Sequence, residues 1–228
     1  AVHHFEALTR FSGNSGPAEA IRMAEELDMI ESFDLAVAEK VLKRMRQPGA
    51  GLLKMAINVS GASLGDDTYV EQLLRMTAGA PEERRRLMVE VTETSAVADI
   101  EAADRRLAAL REAGIKVCID DFGAGAAAFD YLRKLSVDSV KIDGAIVRDI
   151  QTDQRSKAML HSIVELCRSM RLETIAEMIE TDGVAAELKA AGVEYGQGWL
   201  FGRAEAEPRT QLSSPSMVRR KGAVEAWG

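Results

Sequence analysis

The strongest chemical signal in this 228-residue chain lies in residues 117–125. A short apolar run leads into Asp120 and Asp121, and a loop bracketed by Gly123 and Gly125 follows at once. Adjacent carboxylates at the end of a buried strand repel each other and lose their hydration, which is costly unless something compensates for it. Bound cations are the simplest compensation. The stretch therefore predicts a metal site at the end of a strand.

The same pattern recurs along the chain, where apolar runs end in an acid, an amide or a lysine. The polar strand-end residues are Glu6, Asn58, Glu90, Asp120, Asp121, Lys141, Glu177 and Gln197. Their oxygen ligands favour Mg²⁺ or Mn²⁺ over a zinc site of cysteine and histidine. Two such ions would activate a water for in-line attack on a phosphoryl group. Lys141 would hold that water or neutralise a developing oxyanion, and Glu177 would take its proton.

Each of these residues also has an ordinary explanation when it is taken alone. Asp121 could start a turn, Asn58 could cap a helix, and Lys141 could be a solvated strand-end lysine. These explanations do not predict eight polar residues at the same ends of successive strands. The whole set therefore favours a metal-dependent enzyme.

The histidines and cysteines do not add metal ligands. His3 and His4 adjoin Glu6, but side chains alternate across a strand, so one of the two faces away and a histidine ligand is not expected. Cys118 and Cys167 lack the spacing of a metal or redox motif. We interpret both as buried, reduced thiols.

Strands and helices alternate at intervals typical of parallel βα units. The predicted strands cover residues 2–8, 53–59, 87–93, 115–120, 139–142, 172–176 and 194–198. The predicted helices cover residues 17–27, 33–46, 69–76, 100–113, 129–134, 153–170 and 182–190.

A doubly wound sheet and a (β/α)8 barrel both fit. We prefer the barrel because acids at the ends of several different strands are typical of barrel active sites. Seven strands are one short of closure, which suggests that a first strand is missing. From residue 204 to 228 we expect a polar surface segment.

Composition limits the remaining possibilities. With 46% hydrophobic and 29% charged residues, the chain can bury a full core. A formal charge of -7 argues against a nucleic-acid polymer as partner. The sequence shows neither a signal peptide nor an apolar run long enough to span a membrane, so we expect no membrane contact and a cytoplasmic location.

Seven short motifs, in order, resemble those of the EAL domain family of bacterial cyclic di-GMP phosphodiesterases. They span residues 2 to 203 and are Glu6-Ala7-Leu8, Asn58-Val59-Ser60, Glu90-Val91-Thr92-Glu93-Thr94, Asp120-Asp121-Phe122-Gly123-Ala124-Gly125, Val140-Lys141-Ile142-Asp143, Ala176-Glu177-Met178-Ile179-Glu180-Thr181 and Gln197-Gly198-Trp199-Leu200-Phe201-Gly202-Arg203. The resemblance implies a TIM-like barrel with one antiparallel strand. It also implies that the protein linearises cyclic di-GMP to pGpG with two Mg²⁺ or Mn²⁺ ions.

Roles follow from the resemblance residue by residue. The implied metal ligands are Glu6, Asn58, Glu90, Asp120, Asp121 and Glu177. Lys141 would position the water and Glu177 would be the base. The implied dinucleotide contacts are Leu8, Arg10 and Gln197. Glu93 would anchor the loop after Asp121, which couples the site to a homodimer interface in this family. Sensor or GGDEF domains commonly precede such a domain.

The chain departs from the family pattern in three places. The family's first strand is absent, residues 126–128 are all alanine where hydroxyl side chains are usual, and Ala204 replaces a proline. No implied metal or catalytic position is lost. Two alternatives remain open: a cyclic di-GMP receptor that does not turn the dinucleotide over, and a different (β/α)8 metal enzyme.

Overall fold

The chain forms a closed eight-stranded barrel surrounded by helices. The computed structural model describes residues 2–11, 16–65, 67–92, 99–123, 128–206 and 223–226. The strands are β1 (Val2–Ala7), β2 (Met55–Val59), β3 (Leu87–Thr92), β4 (Lys116–Phe122), β5 (Ser139–Ile142), β6 (Glu173–Ala176), β7 (Tyr195–Gly196) and β8 (Ala223–Ala226). Strands β1 to β7 pair in parallel in chain order, as the βα periodicity predicts.

Strand β8 closes the barrel by pairing antiparallel with both β1 and β7. The family resemblance implies one antiparallel strand, the first strand that we expected to be absent, and the described barrel contains one antiparallel strand. Its origin differs from the expectation, because residues 223–226 belong to the part predicted as a surface segment. Without β8, both β1 and β7 would present unpaired backbone groups along an open edge, which strongly favours capture of a strand. Four residues carry too weak a pattern to reveal this pairing in the sequence.

Nine helices are described around the barrel. They are α1 (Pro17–Glu26), α2 (Ile30–Met45), α3 (Thr68–Met76), α4 (Pro81–Arg84), α5 (Ile100–Glu112), α6 (Ala128–Lys134), α7 (Gly144–Asp149), α8 (Gln154–Met170) and α9 (Asp182–Ala191). The two short helices, α4 and α7, were not predicted. Asp143 begins α7 by accepting a hydrogen bond from Ala145 N at 2.9 Å. No helix in the described parts of the chain is both long and apolar enough to cross a membrane.

Two apolar layers hold the barrel together. The outer layer lies between strands and helices and includes Ile57, Val89 and Val140, each fully buried. The inner layer lies inside the barrel, nearer the amino ends of the strands than the polar residues. It consists of Ala56, Met88, Cys118 and Ile175, against which Tyr195 packs. Because strand side chains alternate, the inward positions above this layer fall on the polar residues at the carboxyl ends of the strands. Cys118 and Cys167 are both free and buried, as expected.

Candidate active site

The inward-facing polar side chains of the parallel strands meet at the carboxyl end of the barrel. Asn58 on β2 pairs in register with Glu90 on β3, and Thr92 pairs with Asp120 on β4. Lys141 is on β5, one residue before that strand ends. The pattern of apolar runs that end in polar residues thus predicts side chains that the fold brings together.

Lys141 lies at the centre of the cluster. Its side chain is 1% exposed, and its ammonium makes ion pairs with four carboxylates from four other strands or strand ends. The Nζ atom lies 2.8 Å from Glu177 Oε1, 3.0 Å from Asp120 Oδ1, 3.1 Å from Glu90 Oε2 and 3.4 Å from Glu6 Oε2. The alternative of a solvated strand-end lysine is therefore wrong.

Two carboxamides hold Glu6 in place. Asn58 Nδ2 donates to Glu6 Oε1 at 2.8 Å, and Gln197 Nε2 donates to Glu6 Oε2 at 2.7 Å. Both bonds go to the charged form of the carboxylate and stabilise it. Glu6 is therefore fixed from both sides of the β1 strand end.

One lysine cannot offset the charge of four buried acids. Burial opposes the charge of Lys141, but the surrounding carboxylates outweigh it and raise its pKa well above the usual range. Burial raises the pKa of Glu90 well above its usual range, and Lys141 only partly offsets this. Burial also raises the pKa of Glu177, to about 7. Burial would raise the pKa of Glu6 as well, but Lys141 and the two amide hydrogen bonds outweigh it, and the net shift is downward. The cluster has an excess of negative charge that further cations would relieve.

The donor set fits hard divalent cations. Two groups of carboxylates each place one oxygen per residue within 4.8 Å of the others. One group is Glu6, Glu90 and Asp120, the other is Asp120, Asp121 and Glu177, and Asp120 is common to both. Glu90 Oε1 is buried and has no hydrogen-bond partner among the described residues. An all-oxygen set with an unsatisfied buried oxygen suits Mg²⁺, Mn²⁺ or Ca²⁺.

The segments after β6 and β7 are tied to each other. Ile179 N donates to Gln197 O at 3.0 Å, and Leu200 N donates to Ile179 O at 2.9 Å. Gly198 has a φ of 153°, and a Cβ there would lie within 2.8 Å of the Ile179 backbone, so only glycine fits. This contact holds Gln197 and Glu177 in a fixed relation across the site.

A groove of about 1090 Å³ opens beside the cluster. Glu6, Glu177 and Gln197 line it, and so do the predicted contacts Leu8 and Arg10. Its other apolar or aromatic lining residues include Phe11, Phe33, Met178 and Trp199, and its basic lining residues are Arg10, Lys40, Arg44 and Arg203. The Arg203 guanidinium carbon lies 4.5 Å from the Trp199 ring centre. Apolar rings beside basic groups suit a ligand that has aromatic bases and phosphates.

His3 and His4 lie closer together than alternation across a strand predicts. Strand β1 carries a register irregularity between Val2 and His4, and the rings of His3 and His4 contact each other through Nδ1 atoms 2.8 Å apart. His4 is 2% exposed, and its Nε2 lies 3.9 Å from Glu90 Oε1. His3 stacks on Tyr195 with ring centres 4.2 Å apart. Simple alternation across a strand could not reveal this pair, because a bulge changes the facing of neighbouring residues.

All but one of the predicted site residues lie in or beside this cluster. Asp121 flanks Asp120 and has a left-handed backbone with φ 54°. Burial raises its pKa, and repulsion from Asp120 adds to the shift. Glu93, the predicted loop anchor, and residues 124–127 of the loop that it would hold lie outside the described residues.

The fold and this cluster together define a (β/α)8-type barrel protein with a lysine-centred, acid-rich site at the carboxyl end of its strands. The family model described as "EAL domain" matches residues 1–204. The chain therefore belongs to the EAL domain family, as its motifs predict.

Named relatives and solved structures agree with this assignment. The cyclic di-GMP phosphodiesterase PdeB of Shewanella oneidensis is 33% identical over 193 residues, which are 82% of this chain and 22% of PdeB. A calcium and cyclic di-GMP complex of Klebsiella pneumoniae BlrP1 superposes with a TM-score of 0.79 at 31% identity, covering 89% of this chain and 52% of that one. A manganese and cyclic di-GMP complex of BlrP1 gives 0.76 at 32% identity, covering 88% and 51%. The chain thus spans less than a quarter of the length of PdeB and about half of the BlrP1 chain.

Proposed function

We propose that this chain is a metal-dependent phosphodiesterase that linearises cyclic di-GMP to pGpG. The observation that carries the proposal is the contact of Lys141 with four carboxylates, two of which, Glu6 and Glu177, also line a groove with apolar and basic side chains. Membership of the EAL domain family and the names of its relatives support the choice of substrate.

The metal ligands in this proposal are Glu6, Asn58, Glu90, Asp120, Asp121 and Glu177. The two carboxylate groups that share Asp120 support two ions, Mg²⁺ or Mn²⁺. When bound, such ions supply charge neutralisation and lower the pKa of a coordinated water.

The protein groups supply orientation and proton transfer. Water oxygen attacks phosphorus, the bond from phosphorus to the ribose 3′ oxygen breaks, and the released 3′ oxygen takes a proton from solvent to become a hydroxyl, so that the product carries a 5′ phosphate. Glu177 accepts the proton of the water as a carboxylate general base. Lys141, 2.8 Å from Glu177, holds the water and stabilises charge on the phosphoryl oxygens. Leu8, Arg10 and Gln197 contact the dinucleotide.

The test is to incubate the chain with cyclic di-GMP and Mg²⁺ or Mn²⁺ and to follow the nucleotides by chromatography. We expect pGpG, and we expect EDTA to stop its formation. Glu6→Ala should abolish turnover, since it removes a ligand that two amides hold in place. Glu173→Ala is the matched control, because Glu173 begins β6 at the opposite end of the barrel and pairs with Lys116. Bound but intact dinucleotide would make the chain a receptor, and wild-type turnover in Glu6→Ala would refute the ligand role.

The setting of this activity is also a proposal. We expect a homodimer, and sensor or GGDEF domains elsewhere in a longer protein, which agrees with a chain that spans 22% of PdeB. The two free, buried cysteines suit a reducing compartment such as the bacterial cytoplasm.

A further inference from the structure

Met178 follows Glu177 directly and has an unusual backbone. Its φ is 52°, in the left-handed region that residues other than glycine, asparagine and aspartate rarely adopt. Among the described residues, the other non-glycine positions with positive φ are Asp28, Asp121 and Arg171. Methionine has no side-chain oxygen that could hydrogen-bond to the local backbone and offset this strain. Strained residues of this kind cluster at functional sites, which suggests a functional role for the Met178 side chain.

Met178 is a partly exposed residue at the groove. It is 48% exposed and lines the groove together with Glu177 and Gln197. An apolar residue thus stays about half exposed at a strained position, beside the carboxylate proposed as the base. Neither burial in the core nor backbone preference explains a methionine here.

One side of the Met178 side chain lies on Gly144, the first residue of α7. A Cβ at position 144 would lie within 2.9 Å of Cβ, Cγ and Sδ of Met178. The backbone of Gly144 is not in the left-handed region, so its need for glycine comes from this contact and not from its φ. Gly144 therefore provides the surface on which Met178 rests.

We propose that Met178 is a substrate-contacting residue whose thioether packs against the nucleoside beside the phosphate that is cut, and that Gly144 sets its position. The proposal rests on the function proposed above. A flexible, polarisable thioether packs well against an aromatic base. The cost of the left-handed backbone is then balanced by contact with the dinucleotide, a contact that the free protein does not make.

The experiment combines binding and melting measurements. Dissociation constants for cyclic di-GMP are measured by calorimetry in Ca²⁺, with chromatography to verify that the dinucleotide stays intact. Met178→Gly relieves the strained backbone and removes the side chain, so it should weaken binding about five- to thirtyfold while the melting temperature stays equal or rises. Arg171→Gly is the matched control. It relieves the same strain at φ 60° at the end of α8, does not line the groove, and should leave binding unchanged.

A double-mutant cycle tests the role of Gly144. Gly144→Ala should weaken binding in the wild-type background and have no effect in the Met178→Gly background, because the added methyl group acts only by displacing Met178. Wild-type affinity in Met178→Gly, or an equal effect of Gly144→Ala in both backgrounds, would overturn the proposal. If the wild-type chain does not bind cyclic di-GMP, the proposed function itself fails, which is a different result from wild-type binding that the variants leave unchanged.

Discussion

Replacing Lys141 with methionine would show how much the buried ammonium contributes to the stability of the metal-free protein. Four carboxylates lie 2.8–3.4 Å from Nζ, and the Lys141 side chain is 1% exposed. Removing one partner of a buried ion pair costs about 3–5 kcal/mol, because a charge is left without compensation. For a chain of this size, this corresponds to a fall in melting temperature of roughly 6–20 °C.

Proton uptake makes this prediction depend on pH. The pKa of Glu177 is already raised to about 7, and that of Glu90 lies well above its usual range. Without Lys141 these acids bind protons more readily, which relieves their repulsion. The destabilisation by Lys141→Met should therefore be large at pH 8 and small at pH 5. Added Mn²⁺ should raise the melting temperature of the variant more than that of the wild type.

The measurement is thermal unfolding in EDTA at both pH values, followed by titration with Mn²⁺. Lys157→Met is the matched control, because Lys157 pairs with Glu187 at 3.3 Å on the surface and its loss should cost less than about 1 kcal/mol. If Lys141→Met and the wild type have the same melting temperature in EDTA at pH 8, Lys141 is not the internal counter-ion of the site.

Two further predictions concern parts of the fold outside the site. Burial raises the pKa of Asp34 to about 6 despite hydrogen bonds from Ser60 and Ser63. Its stabilising contribution is thus full below about pH 4 and is lost as pH rises through 6. Relative to wild type, the free energy of unfolding of Asp34→Asn in urea should rise by up to about 3 kcal/mol between pH 4 and 7. A difference between the two proteins that does not change with pH would contradict this. Glu225→Pro removes a donor from β8, which pairs on both sides, and should lower the free energy of unfolding by about 3 kcal/mol; an unchanged value would mean that β8 contributes nothing to closure.

The sequence predicts the site well because strand ends are local features. In a parallel barrel the carboxyl ends of all the strands meet, so Glu6, Asn58, Glu90 and Asp120 are brought together by topology alone. The central place of Lys141 was harder to foresee. A lysine at the end of a strand has the same local pattern whether it faces solvent or four acids, and only the closed barrel distinguishes the two.

The remaining errors come from features without a local pattern. The pairing of residues 223–226 with both β1 and β7 depends on two edges that are distant in sequence. The contact between His3 and His4 depends on a bulge. The short helix α7 follows a single capping aspartate, Asp143. An aspartate after a strand is equally typical of a loop, so the sequence alone did not indicate a helix there.

The partners of Glu6 have a consequence for how the protein is made. Its side chain contacts Asn58, Lys141 and Gln197, which are 52, 135 and 191 residues further along the chain. Contacts at such long sequence separation form late and slowly, since most of the chain must be ordered first. A nascent chain that lacks β7 has Glu6 but not Gln197, the second of its two amide partners. The cluster around Lys141 therefore cannot be completed ahead of the barrel, and a partly synthesised domain lacks the site to which we assign activity.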